Sequence, residues 1–289
     1  MTNAHTSSNA EPFRFTSRVG LGTWHYGERG SERRSEIAAL LGALEAGYKL
    51  IDTAEMYAAG RAESLIGEAL RAFGPAKRTQ LQIVSKVLPS NSSADGTVRA
   101  CEQSLKRLGC DYIDLYLLHW EGGYTFEATL EGMVQLYRQA KIRAWGVSNF
   151  DLRALSRWAL AEKRVGVPRQ CASNQIYYSL LARGAEFDLL PAMRQRAMPL
   201  MAYTPLGSGS LASEPRLRAL ASARGLTAAQ LALAWCLRQP DSVVIPKSSN
   251  LQRIRENLKA AGLSLDEDCL KAIDTYFPPP RSKQSLAMI

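Results

Sequence analysis

Three apolar runs in the first 120 residues end alike, in an ionisable side chain: Tyr48–Ile51 in Asp52, Leu81–Ser85 in Lys86, and Tyr112–Leu118 in His119. A charge at the tip of a buried strand costs free energy unless partners meet it. Three such tips, about thirty residues apart, imply strands whose same ends converge on one site. In a parallel barrel that end carries the catalytic groups.

The rest of the chain repeats the pattern. Short apolar strands are expected at Arg18–Trp24, Tyr48–Thr53, Leu81–Lys86, Tyr112–His119, Ile142–Ser148, Ala172–Ile176, Pro199–Tyr203 and Ser242–Pro246. Between them the 3.6-residue period predicts helices at Glu36–Ala46, Ala62–Phe73, Thr97–Leu108, Phe126–Ala140, Leu152–Ala161 and Phe187–Arg196. Leu217–Ala223 and Thr227–Arg238 both precede the last strand, and Leu251–Ala260 follows it. Gly47 and Gly109 stand where C-caps belong, Thr227-x-x-Gln230 resembles a capping box, and Pro240 stops the helix begun there. Alternating strands and helices make a parallel sheet with right-handed crossovers. The expected fold is therefore α/β, a single (β/α)8 TIM barrel, with an extra C-terminal helix at Asp266–Tyr276. Residues 1–12 read as a flexible N-terminal tail and 13–289 as the barrel domain; after Pro278–Pro280 a polar segment is able to drape over a barrel end.

A chain of 289 residues, 46% hydrophobic and 22% charged, has enough apolar surface for one large core. The formal charge of +9 raises the question of nucleic acid, but no basic run is interleaved with aromatics and no zinc pattern occurs. Lys and Arg are spread over the expected helix faces, so nucleic acid is not an expected partner, while an anionic cofactor still gains attraction from the field. No apolar stretch nears the roughly 20 residues that span a bilayer, so no membrane partner is expected. Five cysteines without a Cys-x-x-Cys pair, and no charged-then-apolar leader, make a reducing cytoplasm the expected setting. A monomer is the expected state, with a weak oligomer as the alternative.

Tyr57 lies five residues past the second tip, close enough to fold back over the barrel mouth. A phenol, with a pKa near 10, is a poor proton donor at neutral pH unaided. An ammonium beside it is expected to lower that pKa, and a carboxylate to hold the ammonium in place. A neutral histidine opposite orients a carbonyl oxygen. Asp52, Tyr57, Lys86 and His119 together suit protonation of an oxygen that becomes negative as hydride reaches its carbon. Each residue alone has a plain structural reading, as salt bridge, loop residue or hydrogen-bonded histidine. Their coincidence on successive units does not.

The segments Leu21-Gly-Thr-Trp24, Ile51-Asp-Thr-Ala-Glu-Met-Tyr57, Ser85-Lys86-Val87, Leu117-Leu-His-Trp120 and Gly146-Val-Ser-Asn-Phe150 resemble the aldo-keto reductase family. Asn174-Gln175, Tyr203-Thr-Pro-Leu206 and Ile245-Pro-Lys-Ser248 extend the likeness over nearly the whole chain, nearest to bacterial members that reduce methylglyoxal and other aldehydes. The resemblance implies an NADPH-dependent oxidoreductase acting on a small carbonyl substrate, with the cofactor held extended and without a Rossmann domain. The chain agrees on that last point: Gly20-x-Gly22 begins like a dinucleotide fingerprint, but His25 takes the third glycine position.

The resemblance further implies Tyr57 as general acid, Lys86 and Asp52 as its tuning pair, and His119 as carbonyl orienter. Ser148, Asn149 and Gln175 match positions holding the nicotinamide carboxamide, and Tyr203 the ring on which it stacks. Thr23, Trp24, Pro205, Leu206, Glu256 and Asn257 fall at or beside matching cofactor positions. Lys247-Ser248-Ser249-Asn250 precedes an amphipathic helix, so backbone N–H groups face an anion there, with Lys247 and Arg253 adding charge for a 2′-phosphate. The competing reading is that Ser249 or Asn250 merely caps the helix and Arg253 faces solvent. Trp24 and Trp120 match substrate-pocket positions, with barrel-rim packing as their alternative. The loop Thr204–Glu214 is too short for the long belt that clamps cofactor in some members. A different class of function, a catalytically weak NADPH-binding regulatory subunit, shares the fold but has no use for an intact set of four.

Overall fold

A computed structural model describes residues 13–289; the tail expected over residues 1–12 lies outside the described residues. In chain order the elements are β1 (Leu21–Gly22), α1 (Arg33–Glu45), β2 (Leu50–Asp52), α2 (Arg61–Phe73), β3 (Gln82–Val87), α3 (Ala94–Leu108), β4 (Ile113–Leu118), α4 (Phe126–Arg138), β5 (Ile142–Ser148), α5 (Leu152–Val165), β6 (Asn174–Tyr177), α6 (Leu189–Gln195), β7 (Leu200–Tyr203), α7 (Ser210–Ser213), α8 (Pro215–Ser222), α9 (Ala228–Leu237), β8 (Val243–Ile245), α10 (Leu251–Lys259) and α11 (Glu267–Tyr276). All eight strands form one parallel sheet in sequence order. The Arg18–Gly22 segment closes it onto β8: Val244 N donates to Arg18 O, Gly20 N to Val244 O and Gly22 N to Pro246 O. That closure explains the glycine that mimics a dinucleotide fingerprint. A Cβ on Gly22 would stand 2.7 Å from the Ile245 carbonyl oxygen, so only glycine lets the first and last strands approach this closely.

Strand parity decides which side chains enter the barrel, because alternate residues face opposite sides. Leu50, Val84, Leu115, Leu117, Ala144, Met201, Val243 and Ile245 form the inner cluster. Counting up by two from Leu50, Val84 and Leu117 reaches Asp52, Lys86 and His119, so all three tips face inwards. The stagger of the strands sets their heights: Asp52 pairs with Val84 and Lys86 with Leu117. Each tip thus stands two residues, roughly 6–7 Å, above the level of the preceding one. Phe13 and Phe15, edge to face at 5.2 Å, pack against the inner cluster. Bonds of Thr16 and Arg14 to Gln82, the first residue of β3, hold that pair at the opposite end from the tips.

The outer faces of the strands and the apolar stripes of the helices share a second, larger core containing Tyr116, Trp145, Trp158 and Trp235. Cys101, Cys236 and Cys269 are buried on their helices, and all five cysteines are free thiols. Local signals act where expected. Gly109 caps α3 with φ 62°, and Thr227 and Gln230 form a reciprocal capping box at α9. Two expectations change. The first strand is two residues rather than Arg18–Trp24, because residues 18–20 spend their backbone groups on β8 through isolated pairings. The Thr204–Glu214 loop is partly helical: a turn at Gly207–Gly209 runs into α7, which buries Leu211. Among the described residues no helix is long and apolar enough to cross a membrane.

Candidate active site

Lys86 is the hub. Its Nζ donates to both Asp52 carboxylate oxygens (3.0 and 2.8 Å), to the Thr53 carbonyl (2.7 Å) and to the Tyr57 phenol oxygen (3.2 Å). Lys86 is fully buried and Asp52 is 2% exposed, so the two charges rest on each other and on neighbouring protein groups. Because Lys86 donates to Tyr57, the phenolic O–H is left to donate into the cavity. Tyr57 is set by an unusual turn: Ala58 and Ala59 both adopt left-handed backbone (φ 50° and 54°), followed by Gly60 at φ 83°. A left-handed alanine costs about 1–2 kcal/mol, so the surroundings must impose this conformation.

The His119 ring lies 5.9 Å from that of Tyr57, centroid to centroid, at 71°. Burial, aided by the Lys86 charge, pushes its pKa down to about 2, so the imidazole is neutral. Nδ1 is buried without a partner. An orphaned N–H is rarer and costlier than an orphaned acceptor, which places the single proton on Nε2, the nitrogen left to serve the cavity.

Burial pushes the Asp52 carboxyl up and the Lys86 ammonium down, and each opposes the other's shift. The Tyr57 phenol is raised well above its ordinary value, first by burial and then by the Asp52 charge. This corrects the expectation of a lowered value. Taking the phenolate out of water outweighs the nearby ammonium, and the Asp52 carboxylate adds its own repulsion. The result is a phenol that keeps its proton throughout the neutral range, poised against a buried cation.

Tyr57, His119, Asp52, Trp24 and Trp120 line one end of a cavity of about 810 Å³, towards the top of the roughly 300–1,000 Å³ usual for ligand clefts. A continuous hydrogen-bonded run crosses its floor. Tyr203 donates to Asn149 Oδ1 (2.8 Å), and Asn149 Nδ2 to Ser148 Oγ (3.2 Å) and the His119 carbonyl (3.1 Å). Ser148 donates to the Gln175 carbonyl (2.9 Å), and Gln175 Nε2 to Asp52 Oδ1 (2.7 Å). Asn149 holds a left-handed backbone at φ 61°. At the far end the walls are Lys247, Ser248, Arg253, Glu256 and Asn257, around the start of α10, which Asn250 caps through Arg253 N. Lys247 and Arg253 have no ion-pair partner among the described residues. Pro205 and Leu206 complete the wall beside Tyr203. Two unpaired cations at one end, a polar floor and aromatic rings at the other suit an elongated anionic cofactor with a flat head.

Residues 18–276 match the model of the aldo/keto reductase family. The chain is 42% identical over 277 residues to methylglyoxal reductase YeaE of Escherichia coli strain K12, covering 94% of each protein. It superposes with TM-score 0.88 on a crystal structure of an aldo-keto reductase from Klebsiella pneumoniae in complex with NADPH. The two are 41% identical, over 94% of this chain and 95% of the other. A more distant relative, the 9,11-endoperoxide prostaglandin H2 reductase of Trypanosoma cruzi, is 33% identical over 89% of this chain and 86% of its own length.

This chain belongs to the aldo/keto reductase family. Two of the residues expected at the cofactor, Thr23 and Ser249, do not line the cavity wall of this aldo/keto reductase with their side chains. Thr23 is buried with its hydroxyl donating to the Asp52 carbonyl (2.9 Å), and Ser249 is exposed outside the wall. Lys86 lies behind the wall rather than in it. Sequence reasoning gave Tyr26 no part at the cofactor end; it is fully buried, and its hydroxyl donates to the Ser248 carbonyl (2.7 Å) and anchors the loop before α10. It also gave little weight to His25, stacked on Trp24 at 4.2 Å, and to Met288 and Ile289, which the C-terminal segment brings back to the mouth. The only signal for the latter was the Pro278–Pro280 break before a polar stretch.

Proposed function

We propose that this aldo/keto reductase is an NADPH-dependent reductase of small aldehydes, including α-oxoaldehydes such as methylglyoxal, with Tyr57 as the proton donor. The observation that carries the reading is the triple convergence on one cavity end: the Tyr57 hydroxyl free to donate, Lys86 Nζ 3.2 Å behind it, and a neutral His119 alongside. The relatives' activities point to the same substrate class.

When bound, NADPH supplies a hydride to the carbonyl carbon. His119 Nε2–H and the Tyr57 O–H hold the carbonyl oxygen between them. As the carbon–oxygen π bond breaks, its electron pair settles on oxygen and takes the Tyr57 proton, giving the alcohol. The phenolate left behind rests against Lys86 and regains a proton from solvent. Ser148, Asn149 and Gln175 hold the carboxamide, and Tyr203 presents its ring to the nicotinamide. Lys247, Arg253 and the backbone at the start of α10 take the 2′-phosphate, with Glu256 and Asn257 near the adenine. Trp24 and Trp120 form an aromatic wall fitted to compact substrates.

The test is NADPH oxidation followed at 340 nm on adding small aldehydes. Turnover is expected with wild type, with higher efficiency for NADPH than for NADH, and is expected to fall by about 10²–10⁴ in Tyr57→Phe. A Tyr57→Phe enzyme that keeps most of its rate removes Tyr57 from the role. Cofactor binding without any turnover would favour a regulatory subunit instead.

A further inference from the structure

The turn that carries Tyr57 is tied to the end of β3 at two points. One is Lys86, donating to the Thr53 carbonyl at 2.7 Å. The other is Glu55, half-buried, whose Oε1 accepts from the Leu88 backbone N–H at 2.7 Å and from Asn91 Nδ2 at 3.0 Å. Leu88 and Asn91 belong to the segment between β3 and α3, with Leu88 directly following the strand that supplies Lys86. Just past these ties Tyr57 N donates to the Ala54 carbonyl (3.0 Å), and immediately beyond come the two left-handed alanines. A turn in that conformation relaxes unless something holds it. Lys86 holds the start of the turn at Thr53 and touches the phenol itself at 3.2 Å, whereas Glu55 is the side chain that pins the backbone two residues before the phenol.

We infer that Glu55 is the positioning residue for Tyr57, its carboxylate clamping the turn to the Leu88–Asn91 segment so that the phenol stays within reach of both Lys86 and the substrate oxygen. This rests on Tyr57 being the proton donor. Glu55 does not line the cavity, so it acts through Tyr57 and not on cofactor or substrate. An ångström of drift at the phenol is enough to slow the chemical step, since catalysis of this kind depends on near-attack geometry.

The experiment compares Glu55→Ala, Glu55→Gln and Tyr57→Phe in the full chain. It measures kcat, NADPH Kd by fluorescence titration, and the isotope effect on kcat with NADPH deuterated at the transferred position. Glu55→Ala is expected to lower kcat about tenfold to a hundredfold and enlarge the isotope effect, with Kd unchanged within about twofold. Glu55→Gln, whose Oε1 still accepts from Leu88 N–H, is expected to recover most of the rate. Should Glu55→Ala not fold, Asn91→Ala, which removes one donor, is expected to give a smaller fall of the same kind. Wild-type kcat in the alanine variants, a Kd change as large as that in kcat, or a glutamine variant no better than alanine would overturn the assignment. An inactive Tyr57→Phe beside a normal Glu55→Ala sinks the clamp alone; an active Tyr57→Phe sinks the acid and the clamp with it.

Discussion

Gln175 donates its amide to Asp52 across 2.7 Å, from a strand on the far side of the barrel. Asp52 also accepts from Lys86 Nζ through both carboxylate oxygens, so Gln175 completes the protein shell of a buried carboxylate. The amide proposed to sense nicotinamide therefore also helps hold the ammonium behind Tyr57.

Gln175→Leu is accordingly expected to do two things. Losing a hydrogen bond to a buried charged group costs about 1.5–3 kcal/mol of stability, readable in urea denaturation. NADPH affinity and kcat should fall together, whereas a residue touching only cofactor would move affinity alone.

Lys86→Met leaves Asp52 buried and unpaired. Breaking a buried ion pair from one side typically costs about 3–5 kcal/mol, so a large drop in the denaturation midpoint is expected together with loss of turnover. Adding Asp52→Asn should restore much of the stability and none of the activity. A double variant as unstable as Lys86→Met would mean that the pair is not the origin of the loss.

His119 gives a signed pH effect. Its folded pKa, near 2 against an ordinary 6.5, means that the unfolded chain takes up a proton across that window and the folded chain does not. Stability from this group is thus full above pH 6.5 and declines as pH falls below it, at up to about 1.4 kcal/mol per pH unit. Between pH 7 and 5, wild type should lose about 2 kcal/mol relative to His119→Gln. Parallel stability curves for the two proteins would refute the assignment. The same neutrality predicts that no fall in kcat down to pH 5 arises from protonation of His119.

Lys247→Ala removes an unpaired cation from the cavity end assigned to the 2′-phosphate. Charge-assisted contacts of this kind are worth enough to raise the NADPH Kd about tenfold in dilute buffer, with a smaller effect at high salt. NADH binding should not change. Equal effects on both cofactors would move the phosphate elsewhere.

Much of this architecture was legible beforehand because parity and polarity conflict at only a few places. An apolar alternation that runs Leu50, Asp52 or Val84, Lys86 announces an inward charge without any coordinates. Tyr57 was readable by its distance from a tip, but its pKa was not. The direction is set first by how deeply the phenol is buried and then by the Asp52 charge, and no spacing encodes either. The partner of Thr23 was not readable either: its hydroxyl is spent on the Asp52 carbonyl, 29 residues away in sequence order but next to it across the first two strands. Tyr26 on the Ser248 carbonyl, and Met288 and Ile289 at the mouth, join points far apart in sequence. α7 was hidden by its brevity and by the Gly and Ser residues before it.

The graded heights of the strand tips make the reaction geometry a property of the sheet's shear. If β3 slipped by a single residue against its neighbours, Lys86 would swing to the outer wall among the helices and the uncharged Ser85 or Val87 would take its place behind Tyr57. Loops around the mouth are free to diverge with substrate; the register of three short strands is not.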